Sequence, residues 1–408
     1  MFQTATKWIH VSYKRIVTSI AFLPAIIALL FCALSYCMIK FDFSATGKSL
    51  KSGLTWLSLK DASTARSICS AITSGIISLT VFSFSMVMIL LNQAASQMSN
   101  RVLDKLIGNR FQQVVLGFYI GTIVYALFLL STIRDIDTGI SIPAISTYLL
   151  ITLTIIDIFL FIYFLHFVTQ SVKYDTIINK VHHSTRDCLE SVCVISENTD
   201  ADFSQPASGI SVPVRKSGLY QGFDQERLIK LCKSEDVMIT MLHPPATFLL
   251  AGSSVIMVTG SKALSSNFED ALSQLINVDT TQDITTNYYY GFRQLMEVAI
   301  KALSPGINDP GTAVMSLRAI MDLLAFRMQH FPRCQFEDEF GQLRIIAHEK
   351  TATQIFKETV LPIWDYGCKD RMVQQEFIHL LTQLKKLSDV PALNSLMSDV
   401  HKAIEEKT

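Results

Sequence analysis

Four long hydrophobic stretches occupy the first part of the chain. A helix needs about 20 apolar residues to cross a bilayer. Residues 17–39, 68–91 and 111–133 meet this length without a charged residue, and residues 142–165 meet it with one exception, Asp157. The pattern predicts a domain of four transmembrane helices in residues 1–168. The first stretch is too long for a signal-peptide core and three more follow, so we expect it to be retained.

The pattern changes after residue 168. Residues 169–265 predict a connecting helix followed by short strands with glycine-containing turns, which form a small β-rich module. Residues 266–408 carry apolar residues at helical spacing and predict a helical domain. The expected fold is therefore a membrane all-α domain of four transmembrane helices plus a cytosolic α+β domain, with a small β-rich module and a helical bundle.

Composition and charge limit the classes of function that this protein can have. Only 17% of the 408 residues are charged, against about 25% in a typical soluble protein. The formal net charge is zero, and no basic stripe indicates a nucleic-acid partner. The eight cysteines form no CxxC pair and match no standard metal site, so we predict no metal and no cofactor. No nucleotide-binding loop or hydrolase motif is present, so an enzyme is not expected.

The orientation of the spans in the membrane is predicted from the distribution of lysine and arginine between the loops. If both termini lie inside, the inner segments carry more of these residues than the outer loops do. The long cysteine-bearing tail also favours a reducing compartment. Both termini are therefore predicted to be cytosolic.

Asp157 is the most informative residue of the predicted spans. An aspartate near the centre of a membrane helix costs about 2.5–3.5 kcal/mol on insertion scales. No lysine or arginine inside a predicted span is available to pair with it. Such a carboxylate marks a proton or cation path, or it is protonated and bonded to a Ser, Thr or Tyr of a neighbouring helix. Both alternatives stay open.

The second span carries a seam of polar residues. Ser78, Ser85 and Asn92 recur at seven-residue spacing, and Ser74 lies one turn from Ser78, so that all four share one side of a helix. We name these four residues the polar seam. They predict either hydrogen bonds between helices or a polar lining for a solute or ion path.

The third span contains Gly117 and Gly121 at the spacing that allows close helix packing. Four spans are few for a pore within one chain, so a homo-oligomer in the lipid bilayer is expected.

A turn between two predicted helices contains Ser304, Pro305, Asn308, Asp309 and Pro310. Pro305 ends the first helix. Asp309 is well placed as the N-cap of the second helix, with Pro310 at its first position. The segment predicts either a helical hairpin with a capped second arm or a site for an anion or a protein partner at a helix N-terminus.

Several segments resemble one family of predicted bacterial membrane proteins, known as DUF2254. They are FSFS at residues 82–85, QAASQMSNR at 93–101, LGFYIGT at 116–122 and ALSPGINDP at 302–310. Family members often carry Ser-Pro-Arg where this chain has Ser99, Asn100 and Arg101, and the stretch after Asp283 is looser than the family pattern. The resemblance implies the same architecture and a bacterial inner-membrane location, and it implies no activity.

Two functions compete on these grounds. The first is an oligomeric channel or transport protein for an ion or small solute, controlled by its cytosolic domain. The second is a membrane-tethered sensor or scaffold without transport, which binds a small anion or a protein partner through the cytosolic domain. Asp157 and the polar seam favour the first, and residues 304–312 favour the second.

Overall fold

A computed structural model describes residues 21–47, 49, 61–97, 110–133, 143–171, 173–196, 208–260, 266–280, 282–387 and 391–405. These residues form two compact units, which divide mainly between Lys173 and Tyr174. They are named here the membrane unit and the downstream unit.

The membrane unit contains the apolar helices α1 (Phe22–Phe43), α2 (Ala62–Gln97), α3 (Arg110–Thr132) and α4 (Ala144–Ser171). Each is long and apolar enough to cross a bilayer, because a helix rises about 1.5 Å per residue and the hydrocarbon core is about 30 Å thick. The prediction of four apolar spans is confirmed. Helix α1 runs past its predicted end at residue 39, which brings Asp42 into the helix.

Helices α1 and α3 pack closely through the two glycines of the third span. A Cβ atom on Gly117 would lie 2.6 Å from Ile27 Cδ1, and one on Gly121 would lie 2.7 Å from the Phe31 ring. Both distances are far below van der Waals contact. The glycines of the predicted packing face therefore lie against α1 of the same chain, where a larger side chain has no room.

The downstream unit is an α+β structure, which confirms the predicted fold class. Its helices over the described residues are α5 (Tyr174–Val192), α6 (Gln225–Glu235), α7 (Ser266–Leu275), α8 (Tyr289–Ala302), α9 (Pro310–Arg327), α10 (Ala352–Thr359), α11 (Leu361–Gly367), α12 (Arg371–Leu387) and α13 (Pro391–Glu405). Its strands there are β1 (Ile210–Pro213), β2 (Gly218–Phe223), β3 (Met238–Met241), β4 (Phe248–Leu249), β5 (Ser254–Thr259), β6 (Ile276–Asp279), β7 (Gln335–Glu337) and β8 (Leu343–Ile346).

The strands form two sheets around one apolar core. One sheet has the order β1-β5-β3-β8-β7 and the other the order β4-β2-β6. Tyr220, Ile239, Ile256 and Val278 come from both sheets and are buried together with residues of α6 and α7. The pairing of β3 with β8 is parallel, and it joins Ile239 to Ile345. The β-rich module thus includes strands from residues 266–408, a range whose pattern predicts helices.

The remaining helices pack as a bundle. Helices α8 and α9 contact each other and α5, and α9 also contacts α12. Leu295 and Ala299 of α8 and Leu317 and Leu324 of α9 are completely buried. These are the apolar positions at helical spacing, which bury one side of each helix because they recur every three or four residues.

Candidate functional site

Asp157 lies near the middle of α4, and its side chain is completely buried within the membrane unit. Only 22% of the apolar window of this helix is buried. The aspartate is therefore on the side of α4 that faces the other helices. A buried carboxylate is costly unless its surroundings compensate its charge, so the neighbouring side chains decide what it can do.

Three hydroxyl side chains lie in the same buried region. Thr122 of α3 approaches the Asp157 carboxylate, and the Tyr119 hydroxyl lies within electrostatic reach of it. Tyr119 in turn approaches Ser83 of α2. All four side chains are buried. Ser83, Tyr119, Thr122 and Asp157 are named here the buried polar layer.

The oxygens of this layer are incompletely satisfied. Both carboxylate oxygens of Asp157 and the hydroxyls of Ser83, Tyr119 and Thr122 make no hydrogen bond of normal geometry to the described part of the chain. Thr122 and Asp157, and likewise Tyr119 and Ser83, are nevertheless close enough for weak hydrogen bonds. Each unsatisfied buried group costs about 1–3 kcal/mol, and a bilayer core supplies no water to replace the missing partner.

This arrangement can hold a proton or a small cation. Carboxylate and hydroxyl oxygens are the ligands that hard cations prefer. One carboxylate supplies a single negative charge, which matches a proton or a monovalent cation. Over the described residues, no group of three or more His, Cys, Asp or Glu side chains could hold a metal ion.

The polar seam of α2 is separate from the buried polar layer. Ser74, Ser78, Ser85 and Asn92 are all exposed, so they face away from the other helices over the residues that the structure describes. The Ser78 hydroxyl donates to the Ser74 carbonyl oxygen of its own helix over 2.9 Å. The structure therefore does not bring the seam together with Asp157.

The hydroxyls of the buried polar layer were not found from the sequence. Asp157 stands out as a charge in an apolar span, whereas serine, threonine and tyrosine are ordinary there. One signal was available, because Tyr119 and Thr122 are three residues apart and share a face of α3. Ser83 is only two positions from Ser85 of the seam, but this spacing puts the two side chains on different sides of α2.

A groove of about 230 Å³ adjoins the layer. Its walls are mainly apolar, and Phe84 and Met88 at its edge are more than half exposed. Gln112 and Gln113 of the first turn of α3 form its polar end. The lining comprises Ser83, Phe84, Val87, Met88, Gln112, Gln113, Val115, Leu116, Tyr119 and Phe164.

The second predicted site, the turn between α8 and α9, is built around Asp309. Asp309 Oδ1 accepts a hydrogen bond from the Thr312 N–H over 3.1 Å, and Oδ2 accepts one from the Thr312 hydroxyl over 2.6 Å. Pro310 is the first residue of α9. The predicted N-cap is confirmed. The carboxylate of Asp309 thus occupies the position that an external anion would take at this helix N-terminus.

The other residues of this turn shape its backbone. The Ser304 hydroxyl donates to the Lys301 carbonyl oxygen over 2.7 Å. Asn308 has a φ of +50°, a conformation that asparagine tolerates better than most residues, and its N–H donates to the Ser304 carbonyl oxygen over 2.9 Å. Pro305 follows Ser304 directly, and a proline at this position prevents α8 from continuing as a helix.

Comparison with known proteins agrees with this architecture. The family described as "Predicted membrane protein (DUF2254)" matches residues 17–383. Uncharacterised proteins of Mycobacterium bovis and Mycobacterium tuberculosis are each 25% identical over 330 residues, which is 78% of this chain. The chain spans 63% of the length of these relatives. No solved structure shows significant similarity to the chain.

Proposed function

We propose that this chain, which belongs to the DUF2254 family of predicted membrane proteins, conducts or transports a proton or another small monovalent cation through its membrane unit. The cation passes through the buried polar layer, and the protein acts as a homo-oligomer whose downstream unit controls the flow. Its location in this proposal is the bacterial inner membrane, with both termini in the cytosol.

The burial of Asp157 is the observation that carries this proposal. The residue is completely buried halfway along α4, and in the described part of the chain its carboxylate oxygens make no hydrogen bond of normal geometry beyond the approach of Thr122. A purely structural aspartate would be expected to accept hydrogen bonds, as Asp42 does in the same unit. A site that receives and releases a cation has to keep such oxygens available.

The exposure of the polar seam supports the proposal of a homo-oligomer. Ser74, Ser78, Ser85 and Asn92 are exposed on the single chain, within or beside a span that would otherwise meet only lipid. Polar side chains in a bilayer are favoured where they bond across helices or border water. Contact between the α2 helices of two copies would place the seam in such an environment.

A flux assay on the full chain in liposomes tests this function. Trapped dyes for H⁺, Na⁺ and K⁺ report cation entry for the wild type, Asp157→Asn and Thr152→Val. Thr152 is the matched control, because it lies exposed on the same helix and its hydroxyl bonds to its own helix at the Tyr148 carbonyl oxygen. Flux of one cation is expected in the wild type and in Thr152→Val, with a loss of at least about tenfold in Asp157→Asn. Equal flux in all three proteins, at background or above it, would overturn the assignment.

The sensor alternative has less support at residues 304–312. Its anion position at the start of α9 is filled by the Asp309 carboxylate. Ser304 and Asn308 bond within the turn, and Pro305 lies three residues past the end of α8 at Ala302. We therefore propose no ligand for this turn.

A further inference from the structure

We propose that α2 packs in parallel and in register against α2 of a second copy, with the polar seam at the centre of the contact and a two-fold axis along the membrane normal. This inference rests on the homo-oligomer of the proposed function, and it deepens that proposal by naming the residues that meet. It does not depend on cation flux, because the polar seam is separate from the buried polar layer.

The polar seam belongs to a seven-residue repeat that runs along α2. Ser78, Ser85 and Asn92 occupy one position of the repeat, and Ser74 occupies a second position four residues before Ser78. Helices that wind round each other in a left-handed pair contact through positions spaced alternately by three and four residues, and most membrane bundles are left-handed. Seven residues of α2 keep this spacing, and we name them the heptad face: Ala71, Ser74, Ser78, Val81, Ser85, Met88 and Asn92.

The chain covers the other side of α2 and leaves the heptad face open. Cys69, Ile76 and Ser83 also recur every seven residues, and they are buried in the membrane unit. These positions lie about 140° round the helix from Ser78 and its equivalents, because successive residues are about 100° apart. All seven residues of the heptad face are exposed on the single chain. A second molecule can therefore reach them without disturbing the packing within the chain.

The order of residues across the exposed side of α2 indicates a helix partner. Ile77 and Phe84 border the heptad face on one side and Phe82 and Ile89 on the other, and these four are between 45% and 64% exposed. Four of the seven residues between them are serine or asparagine. Lipid tails offer no hydrogen-bond partner, so polar residues are favoured where helices meet. Large apolar residues at both edges and polar residues in the middle are therefore expected when lipid touches the edges and another helix covers the middle.

The chemistry of the heptad face selects a second copy as this helix partner. Copies inserted in the same orientation hold residues of the same number at the same depth, so a two-fold contact sets each residue against its own equivalent. Only a group that both donates and accepts hydrogen bonds can pair with itself. The Asn92 amide and the Ser85 hydroxyl can do both. Residues 67–100 contain no charge, so the contact brings no like charges together.

The two ends of the heptad face have different parts in this contact. Ala71, Ser74 and Ser78 are small, so the two backbones can approach closely there. The Ser78 hydroxyl already donates to the Ser74 carbonyl oxygen over 2.9 Å, and its oxygen can still accept. Asn92 at the other end is longer and polar. An asparagine at one contact position of a coiled coil fixes which residues meet, so Asn92 would set the register.

Disulfide cross-linking of the full chain in lipid vesicles tests this contact. Ser78→Cys, Val81→Cys and Ser85→Cys each add one cysteine to the heptad face, and the wild type with its eight cysteines gives the background. Two cysteines join when their Cβ atoms approach to about 4 Å. Dimers are expected several-fold above those of Ile77→Cys and Leu127→Cys, two exposed positions outside the face. Equal cross-linking at all five positions, or none above the background, would overturn the proposal.

Energy transfer between labelled full-length copies in vesicles measures the association itself. Ser78→Phe adds a ring within the heptad face and should weaken association several-fold, whereas Ile77→Phe changes the neighbouring edge and should not. Both side chains are exposed on the single chain, so neither change disturbs its core. Asn92→Ala should weaken association about threefold, the equivalent of one interhelical hydrogen bond of about 0.6 kcal/mol. Unchanged association in both Ser78→Phe and Asn92→Ala would overturn the contact.

The outcomes separate this contact from the proposed function. Introduced into the Ser85→Cys chain, Asp157→Asn is expected to abolish cation flux and to leave the cross-link unchanged. Cross-links on the heptad face without flux in the wild type would overturn the transport function and support the contact. Flux in the wild type without cross-links above the background would support the transport function and overturn the contact.

Discussion

The carboxylate of Asp42, near the end of α1, caps the first turn of α4 through Ser146. The Ser146 N–H lies 2.7 Å from Asp42 Oδ2, and the Ser146 hydroxyl donates to the same oxygen. The Ile145 N–H donates to Oδ1 over 3.2 Å. The first N–H groups of a helix have no partners within it. A residue 104 positions away in the chain therefore satisfies them and ties α1 to α4.

Replacing Asp42 should destabilise the membrane unit. We expect Asp42→Ala to cost about 1–3 kcal/mol, because it removes charged hydrogen bonds and a helix cap inside a buried site. Thermal unfolding of the full chain in one detergent, followed by circular dichroism, measures the loss. Asp61→Ala is the control, since exposed Asp61 caps its own helix through Ser63 and Thr64 and bonds to no other helix in the described part of the chain. Equal shifts in the two variants would contradict the link between α1 and α4.

Asp42 also shows what the sequence could not reveal. The four spans were predictable because hydrophobic length is a property of consecutive residues. Asp157 was predictable as an exception within such a run. Asp42 follows Lys40 just past the predicted end of its span, where charge is ordinary, and its partner Ser146 is distant in the chain. The hydroxyls of the buried polar layer were missed for the same reason, because their meeting depends on how three helices pack.

The downstream unit shows the same difference between local features, which the sequence predicts, and long-range contacts, which it does not. The cap at Asp309 was predictable because its partner Thr312 lies three residues away. Strand β8 was not, because it pairs in parallel with β3 from more than 100 residues earlier, and its apolar residues are too few to show a period. Local chemistry is therefore recoverable from this sequence, and long-range pairing is not.

Close packing of α1 on α3 predicts opposite effects for two glycine substitutions. Gly121→Ala places a Cβ 2.7 Å from the Phe31 ring and should destabilise the unit by about 1–3 kcal/mol. Gly75→Ala on α2 meets nothing within 4 Å and should be neutral or stabilising, because alanine favours a helix more than glycine does. Unfolding temperatures of both variants in the same detergent test this. Similar losses in both would contradict the close approach at Gly121.

The hairpin of β7 and β8 contains a buried ion pair that makes stability depend on pH. Arg344 Nε donates to Asp338 Oδ2 over 2.9 Å, and Arg344 also reaches Asp236 over 2.9 Å. The hydrogen bond from Arg344 lowers the pKa of Asp338 below its usual 3.8, and the N–H groups of Phe340 and Gln342 lower this pKa further. The ionised aspartate is therefore favoured in the folded state.

The sign of this pKa shift fixes the pH window. A carboxyl whose pKa is lower when folded stabilises the fold fully above its unfolded pKa, near pH 4, and loses this contribution as the pH falls through the folded value. Asp338→Asn should therefore lower the unfolding temperature of the full chain by a constant amount from pH 7 to pH 5. The difference from the wild type should shrink below about pH 4. Asp270→Asn, which breaks only the exposed pair with Arg215, should have little effect at any of these pH values. A difference for Asp338→Asn that stays constant down to pH 3 would contradict the lowered pKa.

Asp309 offers a final test of whether the turn before α9 is structural or binds an anion. Asp309→Ala should cost about 0.5–2 kcal/mol by removing the N-cap, and Asp309→Ser should retain most of the stability because a serine hydroxyl can accept from the Thr312 N–H. Hydrogen exchange at residues 311–314 should rise in Asp309→Ala and much less in Asp309→Ser. Since the wild-type carboxylate already fills the helix N-terminus, added inorganic phosphate should not raise the wild-type unfolding temperature. A clear rise with phosphate, abolished in Asp309→Ala, would instead favour a sensor that binds anions at this turn.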